Sequence, residues 1–405
     1  MKKVTLIVTL FIVTISCTEP YALQSNTFED ILVIEATITN ELKKQEIKIS
    51  RTFQLEEKEP QIEKNATVFI TDNLGNQYNF NEINDKYISE FEFQAMSERQ
   101  YQLFVNTSNG KQYTSTREKL TTENNLTSIE ASVKNKFGVR GVDITANSFD
   151  PTNSSKYYRY EYEETYRFTV PFWAPDSLQI FGNAEYDDPS KGKIKYALTQ
   201  HQRNGASKTC FKTDKNNQII LSNTTSLIED RIKDESIRFI SYNNFIIADR
   251  YTILIKQYIQ NLASHTYYKT LKKLSETDNV LSPNQPGFIN GNLSAVENKN
   301  EKVIGFFDVS TVSEKRIFFN YQDIFPEELE PPYFYKCDIL DYDSKLLKDP
   351  ALSITPPFGL TNLVITSRQG NLILYERIAN IYRMVPPECG DCRSIGSNIP
   401  PIFWQ

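Results

Sequence analysis

Alternating apolar and polar positions mark the first third of the chain, where runs rich in β-branched and aromatic residues follow one another. Alternation with a period of two predicts strands that bury one face. Asn109-Gly110 stands between two of these runs and predicts a hairpin. About seven short strands separated by turns, over residues 28–122, are typical of an immunoglobulin- or fibronectin-like sandwich. The runs are 31–39, 46–51, 66–72, 77–80, 86–93, 101–106 and 111–116.

Beyond residue 122 the strand pattern continues with less regularity, which predicts a larger β-rich domain over residues 123–405. Within the run 156–170, Tyr158, Tyr160 and Tyr162 share one face, while Arg159, Glu161 and Glu163 line the other. We interpret this tyrosine face as core rather than as a ligand platform. Apolar residues three and four apart over 264–276 predict a helix with Ser264 as its N-cap. The predicted fold class is therefore mainly β, with one or two helices in the second domain.

The first 17 residues have the pattern of an export signal. Lys2 and Lys3 precede an uncharged, mostly apolar run over residues 4–16, which is too short to span a bilayer core of about 30 Å. Small Ser16 before Cys17 is typical of a bacterial lipobox, although Thr14 stands where Leu is usual. We predict a signal peptide over 1–16, lipidation of Cys17 and a polar tether over 17–27. The alternative is an ordinary secretory signal with an accidental cysteine.

Charge and composition exclude some functions and leave others open. The 405 residues carry 45 Lys and Arg against 51 Asp and Glu, a net charge of −6, without the basic clusters that nucleic-acid binding requires. The sequence contains neither a GxSxG elbow nor an HExxH, P-loop or GxGxxG motif. No cofactor or metal is predicted. A hydrolase that uses two carboxylates stays open, because the sequence selects no particular pair.

Four cysteines remain after Cys17, and an even number in an exported protein is consistent with two disulfides. Cys389 and Cys392 form a CxxC pair, for which a redox motif and half of a zinc site are the alternatives. We favour structural disulfides and expect Cys337 to bond to the loop of Cys389 and Cys392. Cys210 would then pair with the remaining cysteine or stay free.

Two loops combine proline with aromatic residues and are the candidate binding loops. Trp173 lies between Pro171 and Pro175, and the segment 330–335 ends in Tyr333, Phe334 and Tyr335. Aromatic side chains on loops that a β scaffold holds in place are a usual means of recognition. For Trp173 the alternative is a loop tryptophan packed on its own domain.

The mature chain resembles the Bacteroidota lipoproteins grouped as domain of unknown function 4249. The resemblance rests on the lipobox at Cys17 and on four runs of sequence. A departure occurs near the end, where the family often has Lys-Pro-Asp and this chain has Pro400-Pro401-Ile402. The runs are LVIEATITN (32–40), NATVFITDNLGNQYNF (65–80) leading to YISEF (87–91), GNLSAVENKNEKVIGFFDVSTVSEKRIFF (291–319) and CGDCRSIGSNIPPIFW (389–404).

This resemblance implies a lipid-anchored protein of the outer membrane, often encoded near TonB-dependent receptors, and no established activity. We therefore expect a non-enzymatic binding or accessory protein that works beside such a receptor. The membrane is the second expected partner, through the lipid on Cys17. The alternative is a surface glycan or peptide hydrolase that uses carboxylates. The face of the outer membrane on which the protein lies is left open by the sequence.

Overall fold

Strands hold about half of the residues that the structure describes, which confirms the mainly β fold class. The computed structural model of the chain describes residues 29–53, 57, 59–181, 197–203, 205–275, 289–345 and 358–404. Cys17, the signal peptide and the tether lie outside the described residues.

The first seven strands correspond to the seven predicted runs, and the two-residue β8 was not predicted. These eight strands are β1 (Leu32–Thr39), β2 (Glu46–Arg51), β3 (Thr67–Asp72), β4 (Gln77–Ile83), β5 (Lys86–Ser89), β6 (Gln100–Asn106), β7 (Gln112–Ser115) and β8 (Glu118–Lys119).

The later strands are longer in the middle of the chain and shorter towards its end. They are β9 (Leu126–Lys136), β10 (Val139–Asp150), β11 (Tyr157–Thr169), β12 (Asp176–Phe181), β13 (Ala197–Gln202), β14 (Thr209–Lys215), β15 (Ile220–Asn223), β16 (Asp230–Ser241), β17 (Arg250–Gln260), β18 (Leu293–Ala295), β19 (Val303–Ser310), β20 (Val312–Asn320), β21 (Leu340–Asp343), β22 (Phe358–Gly359), β23 (Ile373–Ile378) and β24 (Ile381–Val385).

Four helices accompany these strands in the described part of the chain, and none of them is long and apolar enough to cross a membrane. They are α1 (Leu262–Ser275), α2 (Tyr321–Ile324), α3 (Leu360–Arg368) and α4 (Pro387–Gly390).

A ten-stranded, nearly closed sheet encloses the first core. Its order is β18-β7-β6-β3-β4-β5-β2-β1-β19, and β8 pairs with β6. The predicted hairpin joins β6 to β7, with Asn106 opposite Gln112, so the loop is longer than the two residues Asn109-Gly110. The alternating side chains of β1, β3 and β6 fill the interior, where Ile34, Ile70 and Leu103 are fully buried.

The two ends of this sheet come from much later in the chain. β18 pairs with β7, and β19 runs parallel to β1 from Leu32 opposite Val303 to Thr39 opposite Ser310. Both strands belong to the segment that the sequence assigned to the second domain. β18 lies about 180 positions after its partner β7, and β19 lies about 270 positions after its partner β1. A parallel pair requires a long crossover connection, and here the entire middle of the chain forms it.

The middle of the chain forms a second layered unit. One sheet has the order β14-β11-β17-β20, with β15 also on β11, and the other has the order β16-β10-β9. The two sheets share one core, in which Tyr158 and Tyr160 of β11 are buried and against which Tyr162 packs, as predicted. The tyrosine face of β11 therefore faces the core, and the side chains between the tyrosines lie on the opposite face of the strand.

Helix α1 confirms the predicted helix but begins two residues earlier. Asn261, not Ser264, is the N-cap, because its Oδ1 accepts the backbone N–H of Ser264 at 2.8 Å. The hydroxyl of Ser264 turns inward instead and is fully buried. Two side chains of the same cap-forming class stand three residues apart here, and the pattern alone favoured the wrong one.

A small sheet of order β22-β21-β24-β23 packs on α3, and two disulfides join the C-terminal segment to the rest. Cys337 is bonded to Cys389 with a Cα–Cα distance of 5.8 Å, which confirms the expected link to the CxxC loop. Cys210 of β14 is bonded to Cys392, with a Cα–Cα distance of 5.5 Å. Because each cysteine of the CxxC pair bonds elsewhere, the pair forms no disulfide with itself.

Candidate functional site: the groove between the two units

A groove of about 790 Å³ lies between the ten-stranded sheet and the second unit. One wall is formed by β1, β2 and the loop that joins them. The other wall is formed by β11 and β17. Further lining comes from α1, from Phe306 of β19, from Lys215 at the end of β14 and from the loop 216–219 between β14 and β15. This volume is within the usual range of ligand pockets, about 300–1,000 Å³.

The pleat of β11 explains which side chains reach this groove. Since successive side chains of a strand point to opposite faces, the burial of Tyr158 and Tyr160 sends Arg159, Glu161 and Glu163 the other way. The antiparallel register with β17 places Tyr258 opposite Arg159, Lys256 opposite Glu161 and Leu254 opposite Glu163. All six of these side chains line the groove.

Arg159 is the most enclosed charge of the lining, with 7% of its surface exposed. Its Cζ lies 4.3 Å from the ring centroid of Tyr258 and 4.7 Å from that of Tyr268, which α1 supplies. An ion pair joins Arg159 to Glu161, whose Oε2 also accepts the hydroxyl of Tyr258 at 3.1 Å. Burial alone would lower the pKa of Arg159, but its interactions with Tyr268 and Glu161 outweigh burial and raise the pKa above its usual value.

A fully buried carboxylate lies among the neighbours of Arg159. Asp308 of β19 accepts the hydroxyl of Ser264 at 2.9 Å, and Ser264 in turn accepts the amide of Gln260 at 2.9 Å. Burial raises the pKa of Asp308, and the nearby positive charge of Arg159 opposes that rise. These contacts join β17, β19 and α1, so they fix the wall that carries Arg159.

The charges towards the solvent are mostly paired with one another. Lys86 lies 2.7 Å from Glu46, Lys256 lies 3.1 Å from Glu314, and Lys43 pairs with Glu41. Exposed pairs of this kind contribute only about 0–1 kcal/mol each, so a ligand can displace a partner at little cost. The cations that line the groove are Lys43, Lys44, Lys48, Lys86, Arg159, Lys215 and Lys256, and the carboxylates are Glu35, Glu46, Glu161 and Glu163.

Trp173 lies outside the groove lining, at the edge of the second core. It is half-buried, its indole Nε1 donates to Ser207 at 3.0 Å, and Lys208 lies over its ring at 5.8 Å. These contacts attach the side chain to its own domain. The role of Trp173 in binding stays a prediction.

The aromatic residues of the segment 330–335 differ in exposure. Tyr333 packs against the second core, and its hydroxyl donates to the carbonyl of Glu388 at 2.6 Å. Phe334 is 55% exposed and Tyr335 is 40% exposed, and the two rings contact each other. Cys337, two residues further on, is disulfide-bonded to Cys389 and so fixes this loop to the C-terminal segment.

Sequence reasoning missed the groove residues, although part of the signal was present. The charged face of Arg159, Glu161 and Glu163 was recognised as the side of β11 away from the core. What covers that face comes from β1, β2 and α1, which lie about 100 residues to either side in the sequence. Among the described residues, no group of three or more His, Cys, Asp or Glu side chains is placed to hold a metal ion.

Comparison with known proteins gives a family and no activity. A family model described as a domain of unknown function (DUF4249) matches residues 18–316, which is well over half of the chain. The match ends before the closing run 389–404 and before the small C-terminal sheet. A comparison with curated proteins finds no match.

Proposed function

Since the chain belongs to the family described as domain of unknown function 4249, we propose its function from its geometry: it is a lipid-anchored binding protein that holds a ligand in the groove between its two units. The observation that carries this proposal is the groove itself. It combines a volume typical of ligand sites with aromatic rings and convergent charged groups.

A lipid anchor on Cys17 completes the proposal. Its support is the basic start, the short apolar run and the pair Ser16-Cys17. The family match begins at residue 18, directly after this cysteine. In this proposal residues 17–27 serve as a short tether from the lipid, and the protein would act at the outer membrane.

The proposed partner is a TonB-dependent receptor, to which the protein would deliver its ligand. The support here is the family resemblance alone. Purification of the tagged protein from membranes in mild detergent tests it, with Cys17→Ala as the unlipidated control. The proposal expects a receptor in stoichiometric amount with the lipidated protein, and recovery of the protein alone would contradict it.

The ligand site has its own test, which is independent of the receptor. Asn217 lies in the groove lining and is exposed, so Asn217→Cys labelled with a bulky maleimide would obstruct the groove. Ile228→Cys with the same label is the matched control, since Ile228 is exposed and lies outside the lining. We expect the first label to abolish ligand binding and the second to leave it unchanged. Equal binding by both labelled proteins would contradict the site.

Glu161 and Glu163 favour one second candidate, because both carboxylates of the same strand face line the groove. A hydrolase acting on glycans or peptides would use such a pair. Incubation of the purified mature protein with glycan and peptide libraries decides between the two functions. If the wild type cleaves a library member and Glu161→Gln and Glu163→Gln do not, the function of this groove is hydrolysis rather than binding.

A further inference from the structure

The guanidinium of Arg159 has more donors than partners. A guanidinium carries five N–H donors, and within the described residues the hydrogen bond found for Arg159 goes to Glu161. Its Nε is buried and donates to nothing within that part of the chain. An unpaired donor on a buried cation is costly, so a side chain that keeps such donors beside an open groove is a candidate for ligand recognition.

The surroundings of Arg159 restrict what it can recognise. The rings of Tyr258 and Tyr268 cover the guanidinium at centroid distances of 4.3 and 4.7 Å. Because aromatic rings stack on the faces of a guanidinium, the N–H donors along its edge remain for a ligand. Two donors along one edge match the two oxygens of a carboxylate, which accepts them as a bidentate pair.

The walls of the groove argue against an extended peptide as the ligand. Peptides commonly bind by adding a strand to a free sheet edge. Strand β1 is paired with β2 and β19, β11 with β17 and β14, and β17 with β11 and β20, so both edges of each are occupied. The lining instead offers the exposed side-chain amides of Asn217 and Gln218 and paired charges, which both donate and accept. Hydroxyl groups of a sugar match such a mixture.

We infer that the groove binds a short acidic oligosaccharide, with the carboxylate of a hexuronic acid residue seated on the edge of the Arg159 guanidinium. The side-chain amides of Asn217 and Gln218 and the ion pairs of β1, β2 and β17 form hydrogen bonds with the hydroxyl groups of the sugar. This inference rests on the proposed ligand site and names the chemical class of its ligand.

Calorimetric titration of the mature protein tests the inference with three probes: a hexuronic acid trimer, its methyl ester and a neutral hexose trimer of the same length. We expect the acid trimer to bind at least tenfold more tightly than either uncharged trimer. Arg159→Gln should lower the affinity for the acid trimer at least tenfold. Arg159→Lys should not restore this affinity, because lysine lacks the planar pair of donors. Arg250→Gln is the matched control: Arg250 also lies over a ring, that of Phe318, and has an unpartnered Nε, but it does not line the groove.

Three results would overturn the inference. If the wild type binds the acid trimer and its ester with equal affinity, the carboxylate is not recognised. This comparison uses the wild-type protein alone, so it does not depend on the folding of a variant. If the wild type and Arg159→Gln bind the acid trimer with equal affinity, Arg159 does not contribute to its recognition. If none of the three trimers binds, or if an acidic tripeptide binds in their place, the ligand is not an acidic oligosaccharide. If the neutral trimer binds and the label on Asn217→Cys blocks it, the proposed ligand site stands while the inference fails.

Discussion

At the scale of single residues, one carboxylate organises the turn between β10 and β11. Asp150 accepts the backbone N–H groups of Thr152, Ser154 and Ser155 and the hydroxyl of Thr152, at distances of 2.6 to 3.0 Å. Burial alone would raise the pKa of Asp150, but the hydrogen bonds from Thr152 and Ser155 outweigh it and hold the pKa well below its usual range.

The lowered pKa of Asp150 predicts its effect on stability. A carboxyl group with a lowered pKa in the folded state stabilises the fold above its unfolded pKa, and this contribution is lost as the pH falls below about 4. Asp150→Asn should therefore lower the free energy of unfolding by about 1–3 kcal/mol at neutral pH. Urea titrations should show this difference shrinking below about pH 4. Asp214→Asn is the control, since the side chain of Asp214 is 46% exposed and contacts Lys212 only at 3.9 Å. A difference that is constant with pH would contradict the account.

Trp173 leads to a second prediction at this scale. Its ring packs on the second core, so Trp173→Ala should lower the free energy of unfolding by about 2–4 kcal/mol. Trp173→Phe keeps most of the packing and loses the hydrogen bond to Ser207, and should cost about 1 kcal/mol. Chemical denaturation measures both values. Unchanged stability of Trp173→Ala would show that the indole is free to act as a binding anchor, as the sequence suggested.

At the scale of elements, the closure of the first sheet depends on two glycines. A Cβ on Gly291 would lie 1.6 Å from the carbonyl oxygen of Gly305, which itself has a φ of +146°. Gly291→Ala should therefore destabilise the junction of β18 and β19 by about 2 kcal/mol or more. Gly205→Ala is the control, since a Cβ there meets nothing within 4 Å. Thermal unfolding compares the two, and equal midpoints would mean that the sheet is not closed at this point.

The strands and helix α1 show which features a local sequence pattern can predict and which it cannot. Strands β1, β2 and β11 were predicted within a few residues, because their β-branched and aromatic residues recur with a period close to two. The N-cap of α1 was misplaced because Asn261 and Ser264 both have cap-forming side chains, and only the buried Asp308 decides which one turns inward. A local sequence pattern contains no information about that distant partner.

At the scale of the whole molecule, the disulfides connect parts that the sheets do not. Cys337 and Cys389 close a loop of 52 residues that contains the small C-terminal sheet. Replacing both by serine should lower the free energy of unfolding by about 4 kcal/mol, because the loop restricts the unfolded chain. Denaturation of the double variant measures the loss, and peptide mapping without reductant checks that Cys210 and Cys392 are still bonded. Unchanged stability would contradict the structural role of this bridge.

The groove is a property of the whole molecule, which explains why the sequence did not predict it. Arg159 was assigned to the face of β11 away from the core, but nothing in its neighbourhood indicates that β1 and β2 face it. The joining of β19 to β1 brings these strands there, and a parallel pair so distant in sequence leaves no local signal. The loops chosen from the sequence, around Trp173 and Tyr333, were those whose composition alone is unusual.

The most direct test of the groove as ligand site is amide hydrogen exchange of the mature protein with and without the hexuronic acid trimer. The account predicts slower exchange in the peptides that line the groove, above all 43–48, 215–219 and the middle turns of α1 around Tyr267 and Leu271. Exchange in 171–176 and 330–335 should be unchanged. Protection confined to those two aromatic loops, with the groove peptides unaffected, would contradict the account and return the binding site to the loops.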